Sequence, residues 1–273
     1  MVPLTPALPS FASPSNAPAI VRRRADWRSA RADRLCRQVA AALALLVSPF
    51  AHATASAQVA GTLSVDSDFL FRGYSLSDGH PTATMQLSYD APSGFYLNGA
   101  ATGVLRQGDP DFLGYQANAG YARRVGTDLS VDGGLVHRWF RYSYAYHGYP
   151  YRGSATYDEA YVGLSRGGLS GRVYYSPHYF VAGASTIYGE AEAGVEPASG
   201  IRLSGHIGAL SYLTSPDIYH FDDRTRLDWR LSASKQIDRF DVHAAVSGGA
   251  PEIDQYAVGN DGIKVAIGAS ASF

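Results

Sequence analysis

The sequence predicts an all-β chain, a transmembrane antiparallel up-and-down β-barrel of about twelve strands. Three observations lead there. From Gln58 onward, apolar and polar residues alternate with a period of two through one short segment after another. The connections between those segments alternate between tight turns and mostly longer loops. The last segment, Gly262–Phe273, sets Ile263, Val265, Ile267, Ala269, Ala271 and Phe273 against Lys264, Ala266, Gly268, Ser270 and Ser272. Successive side chains of a strand point to opposite sides, so this is a ribbon with one apolar face and one small, polar face. Left open in water it would make a poor sheet edge. Paired with the first strand, it closes a barrel whose outer face meets lipid.

Residues 1–57 read as a cleaved export segment and 58–273 as the barrel. After a Pro-, Ala- and Ser-rich stretch come Arg22, Arg23, Arg24, Arg28, Arg31, Arg34 and Arg37, then the apolar run Val39–Val47. Ala51-His-Ala53 and Ala55-Ser-Ala57 are small-x-small cleavage sites. Basic, then apolar, then small is the order of a secretory signal peptide. The apolar run is too short for a helix to cross a bilayer. Cys36, the one cysteine, precedes that run, so lipidation is not indicated and the exported chain has no disulfide. Loss of seven Arg and two Asp with the export segment leaves 16 basic against 22 acidic residues. That balance excludes a generic nucleic-acid binder, which is basic.

The strands follow in order. The first sets Leu63, Val65, Phe69 and Phe71 against Thr62, Ser64, Asp66, Asp68 and Arg72. The second has Met85, Leu87 and Tyr89 outward. After the turn Pro92-Ser-Gly94, the third carries Phe95, Leu97, Ala101 and Leu105. The fourth shows Leu113, Tyr115, Ala117, Ala119 and Tyr121, and Val125-Gly-Thr-Asp128 turns it into a fifth with Leu129, Val131 and Leu135. The sixth sets Ala160, Val162 and Leu164 against Glu159 and Tyr161; the seventh, Leu169, Val173 and Tyr175 against Arg172 and Tyr174. The eighth opposes Ile187, Ala191, Ala193 and Val195 to Glu190, Glu192 and Glu196. The ninth carries Ile201, Leu203, Ile207 and Ala209, the tenth Leu227, Trp229, Leu231 and Ala233, and the eleventh Phe240, Val242, Ala244 and Val246. The C-terminal segment is the twelfth.

Loop asymmetry, the export segment and the terminal Phe together point to a membrane, and parity supports it. A soluble β-sandwich alternates too, but here nearly every strand keeps its charged residues on one side. An Arg or Lys facing lipid at the midplane costs ~2–4 kcal/mol, so a barrel confines charge to its lumen or its ends. Tight segments near 92–94, 125–128, 167–168, 197–200 and 238–239 read as periplasmic turns. Those near 73–81, 107–111, 143–155, 181–185, 214–224 and 250–261 read as external loops. Aromatics including Phe69, Phe71, Tyr121, Trp139 and Phe273 fall near strand ends, where interfacial girdles lie.

The inward row supplies the candidate site. Glu159, Arg172, Glu190, Glu192, Arg202, Asp228 and Arg230 share the polar face of neighbouring strands, and opposed charges across a lumen select ions by sign. The same residues would also suit a salt-bridged plug, since eight-stranded barrels are filled and those of sixteen or more hold water. In Trp139–Tyr151, the rings of Tyr144, Tyr146, Tyr149 and Tyr151 offer contacts for a ligand at the outer mouth, or simply extend a hairpin. Asp217, Asp222 and Asp223 beside His220 have oxygen donors of the kind that hold a divalent cation, but a solvated acidic loop is the preferred reading; no metal or cofactor is expected. Gly163-Leu-Ser165-Arg-Gly167 matches the nucleophile-elbow pattern without the helix that motif requires. His137 faces outward, where a lipolytic barrel would carry its histidine.

The hairpin Ser67-Asp-Phe-Leu-Phe-Arg-Gly-Tyr-Ser-Leu-Ser-Asp78, with Ser93-Gly-Phe-Tyr96, resembles the TorF-type family of proteobacterial outer-membrane porins. Weaker echoes are Tyr157-Asp-Glu-Ala-Tyr161, Gly205-His-Ile-Gly208 and Asp228-Trp229. Leu76 departs from the Gln usual there. The terminal Phe with Gly268 before it resembles the signal read by the outer-membrane barrel-assembly machinery. The resemblance implies an outer-membrane barrel of a Gram-negative bacterium, reached through the periplasm, that passes small hydrophilic solutes without catalysis. The alternatives are an outer-membrane lipolytic enzyme and a non-conducting structural or surface-binding barrel.

Overall fold

The structure, a computed structural model, describes residues 57–146, 149–180, 182–214, 225–249 and 262–273; within 142–152 the backbone alone is described. β1 (Gln58–Asp66) is followed by a small hairpin of β2 (Leu70–Phe71) and β3 (Tyr74–Ser75). Next come β4 (Thr82–Asp90), β5 (Phe95–Arg106), β6 (Asp109–Val125), β7 (Leu129–Tyr146), β8 (Tyr149–Arg166) and β9 (Leu169–Ser176). The series ends with β10 (Thr186–Ala198), β11 (Ile201–Tyr212), β12 (Thr225–Ile237), β13 (Phe240–Gly249) and β14 (Lys264–Ser272). All but β2 and β3 form one closed antiparallel barrel in which chain neighbours pair and β14 pairs with β1. The twelve period-two ribbons are therefore the twelve barrel strands.

Closure satisfies the backbone of the last strand. Gly61 N–H donates to Phe273 O and Phe273 N–H to Gly61 O, both at 2.9 Å. A side chain on Gly61 would overlap the Phe273 ring, so the glycine is what lets the aromatic end of β14 lie flat across β1. With no free edge, every strand exchanges its hydrogen bonds inside the wall.

The outer face is apolar along the whole wall. Leu135, Ile207 and Leu227 are 67%, 64% and 65% exposed, and Val162, Leu231, Val265 and Ile267 continue the band. Shielding one such side chain from water gains ~1.5–3 kcal/mol. A continuous band of them is a surface that seeks lipid or another apolar cover. Rings border it: Phe112 and Tyr115 stack on Trp139 at 5.8 and 6.0 Å toward the long-loop end, and Phe95 meets Tyr121 at 5.1 Å toward the short-turn end.

Three expectations change. First, 107–111 is not a long loop: Gln107 and Gly108 alone turn β5 into β6, both with positive φ. Second, Leu113 does not face outward. Pairing of β5 and β6 shifts where Thr102 meets Gly114 and Gly103 meets Phe112, so Leu113 is the extra residue of a bulge and is wholly buried. Phe112 takes the outward place. Third, β1 ends at Asp66, and Phe69 and Phe71 belong neither to its outer face nor to a girdle. The chain leaves the wall at Ser67 and folds back into the barrel.

Candidate functional site

The segment 67–81 is a plug, and its own sequence shapes it. Leu70 pairs with Ser75 and Phe71 with Tyr74 around the two-residue turn Arg72-Gly73. Both turn residues have positive φ, 46° and 81°, as a tight hairpin of this length requires. Asn, Asp or Gly is usual at the first of these positions. An arginine held in the left-handed region costs ~1–2 kcal/mol. Asp68 ties the hairpin together, accepting from Ser75 Oγ at 2.5 Å and from Ser77 Oγ at 2.6 Å. Ser77 Oγ in turn accepts from the Phe69 N–H at 2.9 Å, and Leu76 N–H donates to Phe69 O. The Asp and the two Ser of the opening motif are thus the fasteners of the plug.

At its tip Arg72 makes a two-pronged ion pair with Glu159, Nη1 to Oε1 at 2.9 Å and Nη2 to Oε2 at 3.0 Å. The two side chains are 7% and 1% exposed. Arg138 donates to Glu159 from the other side and reaches Gln116 Oε1 at 3.0 Å, so one buried carboxylate holds two guanidinium groups. The Arg72 guanidinium lies 3.8 Å from the Tyr188 ring centre, with Phe71, Tyr174 and Tyr179 rings 5.1 to 5.6 Å away. A planar cation on an aromatic face is attracted by the ring's negative centre, more strongly where water is excluded. Phe69 and Phe71 pack on Phe140 of β7 at 6.2 and 5.6 Å. Tyr74 accepts from Arg226 Nη1 at 3.0 Å; burial pushes the Tyr74 phenol up to about 12, against the pull of that guanidinium, so it stays neutral.

Burial divides the lumen into two halves. At the level of the plug, every barrel strand except β1 presents a buried inward side chain, among them Thr82, Thr102, Tyr157, Thr186, Ser247 and Lys264. Toward the short-turn end the inward side chains open to solvent: Gln86 and Arg202 are exposed, and Ser204, Ser232 and Ser234 half-exposed. Among the described residues the barrel lumen has a solvent-exposed vestibule on the short-turn side and a filled floor.

Strand register puts all seven charged residues of the inward row on the inner face. Glu159 lies in the floor. Glu190 accepts from Tyr174 OH at 2.9 Å. Asp228 accepts from Tyr188 OH at 3.2 Å and contacts His206 Nε2 at 3.0 Å. Gly208 makes room for this trio, since a Cβ there would overlap the Tyr188 hydroxyl. In the vestibule Arg230 pairs with Glu192 at 3.3 Å and Arg172 with Asp132 at 3.2 Å, while Arg202 lies deeper toward the short turns, beside Gly194. The charges form fixed pairs rather than two opposed rows. The inward row did not single out Arg72, Arg138, Tyr174 or Tyr188. The cue for them was the crowd of large inward residues on β7 to β10, which a water-filled lumen does not need.

The other candidates fall elsewhere. The Tyr144, Tyr146, Tyr149 and Tyr151 side chains lie outside the described residues, but their backbone is paired, with Tyr144 opposite Tyr151 and Tyr146 opposite Tyr149. The segment is an extended hairpin. Asp217, His220, Asp222 and Asp223 also lie outside the described residues. Ser165 runs into the β8–β9 turn with no helix after it. His137 does face outward, where its Nδ1 is 2.7 Å from Asp158 and its Nε2 3.4 Å from Tyr115 OH.

Comparison with known proteins adds a family and a set of distant shapes. Among solved structures the chain is similar to a KdgM porin (10% identity, 78% of this chain and 99% of that one, TM-score 0.48). It is also similar to a NanC porin (10%, 78% and 99%, 0.49) and to the translocator domain of the autotransporter NalP from Neisseria meningitidis (14%, 91% and 96%, 0.42). A search of curated proteins gives no match. A family model described as "Bacterial protein of unknown function (Gcw_chp)" matches residues 50–266, which span the barrel from before β1 into β14, and the chain belongs to that family.

Proposed function

We propose that this chain is an outer-membrane porin of a Gram-negative bacterium whose path for small hydrophilic solutes is held shut by residues 67–81. One observation carries the reading. A closed barrel with an apolar outer face has a wet, charged vestibule that ends at a plug formed by one connection between strands. A barrel meant only to be solid has its wall side chains fill it. Here a hairpin adds to the filling supplied by the wall, and because it lies outside the barrel sheet it can leave without unpairing any barrel strand. The TorF-type porin resemblance supports the same reading, because its most specific motif is the plug itself. Export through the periplasm, insertion by the assembly machinery through β14, and contact with outer-membrane lipid belong to the proposal.

The filled floor also favours a second reading, a structural barrel that never conducts. Planar-bilayer recording of refolded residues 58–273 separates the two, with folding checked by heat-shifted gel mobility. Replacing Leu70–Ser75 by an equal length of Gly and Ser gives steady current steps where the parent gives rare ones. Changing Glu190 and Glu192 to Gln in that open form then reduces its preference for cations. A folded, plug-replaced barrel that stays silent would overturn the porin reading.

A further inference from the structure

We propose that the seat occupied by Arg72 is a binding site for a small organic cation bearing a guanidinium group, and that such a solute displaces the plug. This rests on the plugged-porin reading and names the solute class for the same site. The seat is built for a guanidinium. Glu159 presents both oxygens to the two terminal nitrogens, at 2.9 and 3.0 Å, and the Tyr188 ring lies 3.8 Å from the central carbon. A planar fork matches a carboxylate two-pronged and stacks on a ring; an ammonium does neither as well. The Tyr157 hydroxyl, buried nearby, has no hydrogen-bond partner among the described residues and is a further acceptor for a donor-rich solute.

Charge points the same way. Around the plug tip, Glu159, Glu190, Glu192 and Asp228 face Arg72, Arg138, Arg226 and Arg230, with His206 set between Asp228 and Glu192. When the hairpin leaves, Glu159 loses one of its two guanidinium partners, and a cation takes that place where an anion does not. The way in is open: a cavity of about 140 Å³ lies beside the Arg72 side chain, bounded by Tyr188, Glu190, Glu192, His206 and Arg230, on the vestibule side. A solute in the vestibule thus meets the plug at its tip, Leu70–Gly73, beside the Arg72 side chain.

The tethered Arg72 competes with any free cation at an effective concentration on the order of millimolar. Calorimetric titration of the folded barrel in detergent with agmatine is therefore expected to show binding to Arg72→Ala at least ~10-fold tighter than to the parent. Putrescine, which carries amines in place of the guanidinium, binds Arg72→Ala more weakly than agmatine, and glutarate does not bind. Adding Glu159→Gln abolishes the agmatine signal; Tyr188→Leu, which leaves the Glu159 ion pairs in place, weakens it and covers the case in which the Glu159 variant does not fold. In bilayers agmatine blocks the open Arg72→Ala barrel. An Arg72→Ala barrel that conducts but neither binds agmatine nor is blocked by it would overturn the cation site and leave the porin reading standing, and glutarate binding in its place would do the same. Agmatine binding to a barrel that never conducts would support the site and overturn the porin reading.

Discussion

Glu159→Ala is expected to lower the stability of the folded barrel by about 3–5 kcal/mol, the cost of leaving a buried charge without its partner. The loss is large because one carboxylate holds two guanidinium groups, Arg72 from the plug and Arg138 from β7, both almost wholly buried. Removing it leaves two cations in a floor that water does not reach. Glu159→Gln keeps an oxygen to accept one donor and loses less. Urea titration in lipid vesicles, followed by tryptophan fluorescence, reads both values. A Glu159→Ala barrel within 1 kcal/mol of the parent, about a factor of 5 in the folding equilibrium, would contradict the buried triad.

Arg72→Ala is expected to act in the opposite sense, on opening rather than on the wall. Glu159 keeps Arg138 after this change, so no charge is stranded. What goes is the plug's anchor: two charge-assisted hydrogen bonds, together ~3–6 kcal/mol by mutational experience, and the cation–π contact with Tyr188, ~2 kcal/mol or less. The remaining plug contacts include Phe69 and Phe71 on Phe140, Arg138 over the Phe71 ring, Arg226 to Tyr74 and Arg106 to Ser77 O. Since 1.4 kcal/mol is tenfold in an equilibrium, the open fraction rises by at least two orders of magnitude. Single-channel recordings of the variant should show long openings where the parent shows brief ones. Equal open times in the two proteins would mean that Arg72 does not hold the plug.

The barrel was legible in the sequence because a membrane barrel writes its fold in a period of two. Lipid allows few charges outside and water tolerates them inside, so Glu159, Arg172, Glu190, Glu192, Arg202, Asp228 and Arg230 revealed the inner face at each strand. The plug was not legible from the same rule, because Phe69 and Phe71 continue the alternation of Leu63 and Val65 after the chain has left the sheet. Parity states which face a residue takes only while the strand lasts. The local cue was Asp68 followed by Ser75 and Ser77 around Arg72-Gly73, a set of side chains that closes a hairpin upon itself. Leu113 was missed for the reason that bulges are in general. One extra residue moves the outward place from Leu113 to Phe112, and alternation on either side gives no sign of it. Pairing between charges was also out of reach, since register across strands decides that Arg172 meets Asp132 and Arg230 meets Glu192.

A reversible lock on the plug tests the central claim most directly. Residues 58–273 contain no cysteine. Phe71→Cys and Phe140→Cys therefore introduce one clean pair, at side chains whose rings lie 5.6 Å apart. In the Arg72→Ala background, a short bifunctional methanethiosulfonate joins them and a reductant frees them. The joined barrel is expected to be silent, with stepwise current in the same membrane once it is reduced. A fully joined barrel that conducts as well as the reduced one would show that the solute path does not run past residues 67–81.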